Sequence, residues 1–93
     1  PFGAQVLYKD GAGEFGTAMQ ELFLAQLNGE NRRTATRISD DIYLTKASQC
    51  PALLIECGFL SHPAEALLLE DDSYQIKLAM LITGAFSNYS KQP

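Results

Sequence analysis

Few side chains in this sequence are equipped for chemistry: a single histidine, His62, two cysteines, Cys50 and Cys57, and eleven carboxylates. Among the carboxylates Glu56 has a distinctive setting. It closes the apolar run Ala52-Leu53-Leu54-Ile55, which is bounded by Pro51 and Gly58 and leads into Phe59-Leu60-Ser61-His62-Pro63. A short apolar run between such residues reads as a strand buried on both faces of a sheet. In open α/β sheets ligands gather outside the carboxyl ends of the strands, and partial burial can hold an acid there at a useful pKa. Glu56 is therefore the candidate catalytic residue; the alternative is a structural carboxylate paired with a Lys or Arg on a nearby loop.

The other reactive side chains offer less. Seven residues of extended chain separate Cys50 from Cys57 by about 23 Å, too far for a disulfide. Both cysteines read as buried or half-buried thiols, and a reactive Cys57 would need His62 as its base. Asp40 and Asp41 are adjacent, so on an extended chain they point to opposite faces and serve turn and strand entry better than a shared ion.

The elements that must position Glu56 follow from periodicity. Ala4-Gln5-Val6-Leu7-Tyr8 is β-prone and Lys9-Asp10-Gly11-Ala12-Gly13 breaks it. From Glu14, the spacing of Phe15, Ala18, Met19, Leu22, Phe23 and Leu27 predicts a helix, with Asn28-Gly29 as a left-handed stop. The stretch from Glu30 to Arg37 is non-periodic and concentrates Arg32, Arg33 and Arg37, so it reads as a basic loop. It is either a solvated connection or a segment whose arginine reaches a substrate carboxylate or pairs with Glu56. Ile42-Tyr43-Leu44-Thr45 is a second strand by composition. Beyond Glu56, Ser61 or His62 can cap a short helix with Pro63 in its first position and Glu65 near its positive end. A long helix then follows, with Asp72 and Gln75 as a capping box, Tyr74, Leu78, Leu81, Ile82, Ala85 and Tyr89 at helical spacing, and Gly84 at a close approach.

Strand, helix, strand, strand, helix, helix with apolar strands specifies an α/β layered sheet. Ninety-three residues with 46% hydrophobic content fit one modest core. A net charge of −4 provides no basic field for nucleic acid. No apolar run approaches the ~18 residues of a membrane span. The chain begins at Pro1, close to its first strand, which suggests a piece of a longer protein that could carry its own targeting segment.

Together, Asn31-Arg32, Asp41-Ile42-Tyr43-Leu44, the block from Cys50 through Glu56 to Ser61, Leu67-Leu68 and Tyr74-Gln75 resemble the C-terminal half of the zinc-dependent N-acetylmuramoyl-L-alanine amidases. Within that family the chain is most similar to the cortex-maturation, germination-specific amidases of spore formers. The resemblance runs from Gly3 to Tyr89. It implies that residues 1–93 are the C-terminal portion of a single peptidoglycan amidase domain, a partial three-layer sandwich with a mostly parallel twisted sheet flanked by helices. The implied reaction is hydrolysis of the amide between N-acetylmuramic acid and L-alanine, outside the cytoplasm, at the cell wall or spore cortex. Zinc would be held by two histidines and a glutamate upstream of this chain, with no metal ligand within it.

Glu56 matches the family's catalytic glutamate, which would transfer protons beside a zinc-bound water. Asn31 and Arg32 match a motif that implies substrate binding or support of Glu56. His62 stands where the family pattern has Asn before Pro, which makes it a weaker cap or a substrate contact. The implied partners are peptidoglycan and the missing N-terminal half of the domain. Alone, the chain would be inactive and prone to self-association. The competing reading is a metal-less, non-catalytic wall-binding or partner-binding module.

Overall fold

The computed structural model describes residues 3–38, 52–59 and 61–90. Their elements run β1 (Gln5–Tyr8), α1 (Gly13–Gln26), β2 (Thr36–Arg37), β3 (Leu53–Glu56), α2 (Pro63–Glu70) and α3 (Asp72–Ser90). The three strands form one sheet in the order β2-β1-β3. The expected α/β sheet with helices packed on it is present. Among the described strands the pairing is mixed, with β1 parallel to β2 and antiparallel to β3.

The register of β1 and β3 sorts their side chains. Val6 lies opposite Ile55, while Gln5 lies opposite Glu56 and Leu7 opposite Leu54. Directly paired residues share a face of the sheet. On the Val6 face, Val6, Ala4, Phe15, Met19, Phe23, Leu78 and Ala85 form the buried core, with Leu53, Ile55 and Cys57 packed against it. Both α1 and α3 contribute to that core. The other face carries Gln5, Leu7, Leu54 and Glu56, half-buried to exposed, and Thr36 joins them opposite Leu7. The expectation that β3 is buried on both faces is therefore corrected: Leu54 is 36% exposed because no described helix lies over its side.

Several sequence expectations shift. The expected strand at Ile42–Thr45 lies outside the described residues, as do Asp40, Asp41 and Cys50. Part of the expected basic loop is instead β2, because Ile38 N–H donates to the Tyr8 carbonyl at 2.7 Å and draws Thr36–Arg37 alongside β1. The stop of α1 is not left-handed: among the described residues only Gly3 and Gly11 have positive φ. Both Leu27 and Asn28 donate to the Phe23 carbonyl at 2.9 Å, closing the last turn. The side chain of Asn28 then bridges outward, accepting from Ala4 N–H at 3.1 Å and donating to the Tyr74 hydroxyl at 2.9 Å.

The cap of α3 is Asp71, one residue before the expected Asp72. Its Oδ1 accepts from the backbone of Ser73 at 2.8 Å and of Tyr74 at 3.2 Å, the bonds an N-cap supplies. The Ser73 hydroxyl, followed by those backbone bonds, lowers the Asp71 pKa. Gln75 reaches back to the Leu69 carbonyl at 2.6 Å, joining α2 to α3, rather than closing a capping box. Pro63 holds the first position of α2, as its fixed φ favours, but His62 supplies no side-chain cap. Gly84 meets nothing within 4 Å, so the expected close approach is absent among the described residues.

The braces that hold β1 in place are amides, a feature the hydrophobic pattern does not reveal. Because β2 pairs only with Leu7 and Tyr8, the start of β1 on that side lacks a strand partner among the described residues. Buried Gln20, from α1, fills the gap: its Oε1 accepts from Val6 N–H at 2.7 Å and its Nε2 donates to the Ala4 carbonyl at 3.0 Å. Asn31 adds a second bond to the Ala4 carbonyl at 2.8 Å. In effect two side-chain amides replace a strand, satisfying backbone groups that would be costly to leave unpaired.

Candidate active site

Glu56 is the last residue of β3 and lies opposite Gln5, the first residue of β1. Since these strands are antiparallel, the carboxyl end of β3 meets the amino end of β1, and the site lies at the sheet edge where β1 begins. The Glu56 carboxylate sits on the open face, half-buried, and no hydrogen bond or ion pair reaches it among the described residues. The ion pair seen among those residues joins Arg37 to Asp10 at 2.6 Å on the surface, where it lowers the Asp10 pKa. The structural alternative for Glu56, pairing with a basic loop residue, has no partner there.

Next to Glu56 the open face is polar. Gln5 donates to the Thr34 carbonyl at 3.1 Å and to the Thr36 hydroxyl at 3.3 Å, and its Oε1 accepts from Arg33 Nη1 at 3.2 Å. The Arg33 guanidinium also stacks over the Phe59 ring, 4.6 Å from its centroid. Phe59 follows Glu56 by three residues, so this cation–π contact ties the loop after β3 to the basic segment. Arg33, rather than Arg32, is thus the arginine placed on the Glu56 side, and its partner is Gln5.

Asn31 and Arg32 occupy different settings. Asn31 is buried at 3% exposure, with both amide ends engaged: Nδ2 on the Ala4 carbonyl and Oδ1 accepting from Arg33 N–H at 2.8 Å. It also presses on Gly3, where a Cβ would lie 2.6 Å from Asn31 Nδ2 and where φ is +105°. Arg32 is exposed, and its guanidinium makes long contacts with the Gly29 and Asn31 carbonyls at 3.4 and 3.3 Å.

Below the turn after Glu56, Glu65 of α2 is 2% exposed, and its Oε1 accepts from Gly3 N–H at 2.6 Å. Gly58 packs over it: a Cβ there would stand 3.5 Å from Glu65 Oε1 and 3.3 Å from Leu69. Glu65 therefore links the start of β1 to the turn that carries Glu56. Sequence reasoning placed it near the helix dipole and missed its burial, which needs the long-range approach of Gly3. Burial raises the Cys57 pKa, which keeps the thiol protonated and disfavours it as a nucleophile.

No three His, Cys, Asp or Glu side chains among the described residues come together in a way that could hold a metal ion. A site of two histidines and a glutamate also cannot be drawn from a chain whose one histidine is His62. The described residues of this chain do not fit a zinc centre of their own.

Comparison with known proteins gives a consistent result. Residues 2–88 match the family described as N-acetylmuramoyl-L-alanine amidase. A germination-specific N-acetylmuramoyl-L-alanine amidase of Bacillus subtilis is 40% identical over 62 residues, covering 67% of this chain and 26% of that protein. The fold matches the CwlD amidase of Clostridioides difficile, solved in complex with the GerS lipoprotein, with a TM-score of 0.83 and 37% identity over 96% of this chain and 46% of that one. It also matches an N-acetylmuramoyl-L-alanine amidase from Clostridium difficile 630, with a TM-score of 0.83 and 25% identity over 99% of this chain and 50% of that one. The chain thus spans about a quarter of the curated relative and about half of each solved chain. With its fold, its Glu56 strand and these matches in agreement, the chain belongs to the N-acetylmuramoyl-L-alanine amidase family.

Proposed function

We propose that these residues form the C-terminal portion of one peptidoglycan amidase domain, and that the whole protein hydrolyses the amide joining N-acetylmuramic acid to the L-alanine of the stem peptide. The observation that carries this reading is the Glu56 carboxylate: it ends a core strand on the open face, free of ion pairs among the described residues, in a chain of this family. A carboxylate so placed can take the proton of an attacking water and deliver it to the departing alanine nitrogen. Water adds to the carbonyl carbon, the carbon–nitrogen bond breaks, and the products are a carboxylic acid and an amine.

Zinc dependence of the whole protein is part of the proposal, with ligands from outside this chain, since its described residues do not fit the ion. Asn31 contributes by setting the start of β1 beside Glu56, and Arg32 is the exposed cation available to a substrate carboxylate. Likeness to germination-specific relatives supports action outside the cytoplasm on spore-cortex peptidoglycan. The remaining half of the domain is its first partner, and a lipoprotein like that bound to the C. difficile relative is a further one.

The test is Glu56→Gln in the whole protein. Loss of a positioned acid–base group costs about 10²–10⁴-fold in rate. Hydrolysis at the parent rate would reject the assignment. Muropeptide binding without hydrolysis by the parent would favour the non-catalytic module.

A further inference from the structure

Beside the Glu56 turn, Arg33, Phe59, Ser61, His62, Pro63 and Glu65 line an open cleft of about 390 Å³. Two buried polar atoms of its lining residues lack a hydrogen-bond partner: Arg33 Nε, a donor, and Glu65 Oε2, an acceptor. Both belong to side chains already anchored at their other ends, Arg33 on Gln5 and Phe59, and Glu65 on Gly3. No ion pair joins them among the described residues. Buried polar atoms are rarely left unpaired, and each such exception calls for an explanation, of which a bound group or an ordered water is one.

The charges decide what that partner is. A cation would face Arg33 and an anion would face Glu65, so neither suits the cleft. A neutral group with an acceptor at one end and a donor at the other answers both atoms at once, which is the pattern of a secondary amide. The Phe59 ring and Pro63 supply an apolar flank for the carbons around it.

We propose that the Arg33–Glu65 cleft is a subsite for a secondary amide of the substrate, its carbonyl accepting from Arg33 Nε and its N–H donating to Glu65 Oε2. This rests on the peptidoglycan reading for the amide's source, which is either the stem-peptide backbone or an N-acetyl group of the glycan. The substituent positions favour a clean test. Glu65→Gln keeps an oxygen for Gly3 N–H, so the new amide nitrogen turns toward the cleft and replaces its acceptor with a donor. Arg33→Met removes the other partner while keeping an apolar stem over Phe59.

Both substitutions are made in the whole protein carrying Glu56→Gln. Two probes are titrated by NMR: a synthetic stem tripeptide beginning with L-alanine, and an N-acetylated glycan disaccharide without peptide. At least one probe is expected to bind, and to weaken by about tenfold or more in each variant, as loss of a charge-assisted hydrogen bond predicts. Weakening with the tripeptide identifies the peptide backbone as the source, and weakening with the disaccharide identifies the N-acetyl group. Equal affinity for the parent and both variants, or no binding of either probe, overturns the subsite and leaves ordered water as the partner of both atoms. Circular dichroism checks folding, and if Glu65→Gln unfolds, Arg33→Met decides alone. A failed subsite with Glu56-dependent hydrolysis intact would leave the proposed function standing; bound probes without such hydrolysis would do the reverse.

Discussion

At the scale of single residues, the site depends on which polar side chains are already occupied. Glu56 is unengaged among the described residues, whereas Asn31, Glu65 and Gln5 each hold part of the frame around it. The prominence of Glu56 was legible in the sequence because an acid at the end of an apolar strand is rare. The roles of Arg33 and Glu65 were not, because each depends on a partner far along the chain: Gln5 for Arg33, and Gly3 for Glu65 across 62 residues. Cys57 gives a prediction at this scale. Its ordinary pKa of 9.0 is raised by burial, so the thiolate population is displaced to still higher pH. Iodoacetamide is therefore expected to label Cys57 slowly at neutral pH, with a rate that rises with pH and has not levelled off at pH 9. Mass spectrometry across that range reads it out, and rapid labelling of this residue at pH 7 would contradict the burial argument.

At the scale of elements, the helices were largely readable, since their apolar spacing is set by the same burial that holds them. Phe15, Met19 and Phe23 face the core from α1, and Leu78 and Ala85 do so from α3. What the pattern could not show is the use of polar residues as braces. Gln20 looks like a surface residue in an apolar-periodic helix, yet it completes the unpaired edge of β1. Gln20→Leu keeps the volume and removes both bonds, leaving Val6 N–H buried without a partner. It should cost about 1–3 kcal/mol, measured by urea denaturation of the whole protein. A neutral result would mean that β1 finds another partner on that side. Gly84 makes the opposite prediction. With no atom within 4 Å of its Cβ position, Gly84→Ala should raise helix stability by about 0.5–1 kcal/mol. Destabilisation in the whole protein would show that another element packs there.

At the scale of the molecule, the described helices cover one face of the sheet and none lies on the other, which carries Leu54 and the polar row from Glu56 to Thr36. Elsewhere Leu67, Ile76 and Met80 are 60–70% exposed on α2 and α3. Exposed apolar groups of this kind mark surfaces that another part of a fold, or another copy, will cover. The sequence indicated a partial sheet, because three strands are few for a layered α/β fold. It could not say which face is open, which depends on the β1–β3 register. The isolated chain is expected to self-associate, read by light scattering coupled to size exclusion over a concentration series. A monomer at every concentration with a cooperative melt would show that the sheet is sufficient by itself. The central claim concerns Glu56, and its most direct test is peptidoglycan amide hydrolysis by the whole protein with Glu56→Gln. The account predicts a rate about 10²–10⁴-fold below the parent with an unchanged melting temperature; a folded variant that cleaves the amide at the parent rate would contradict it.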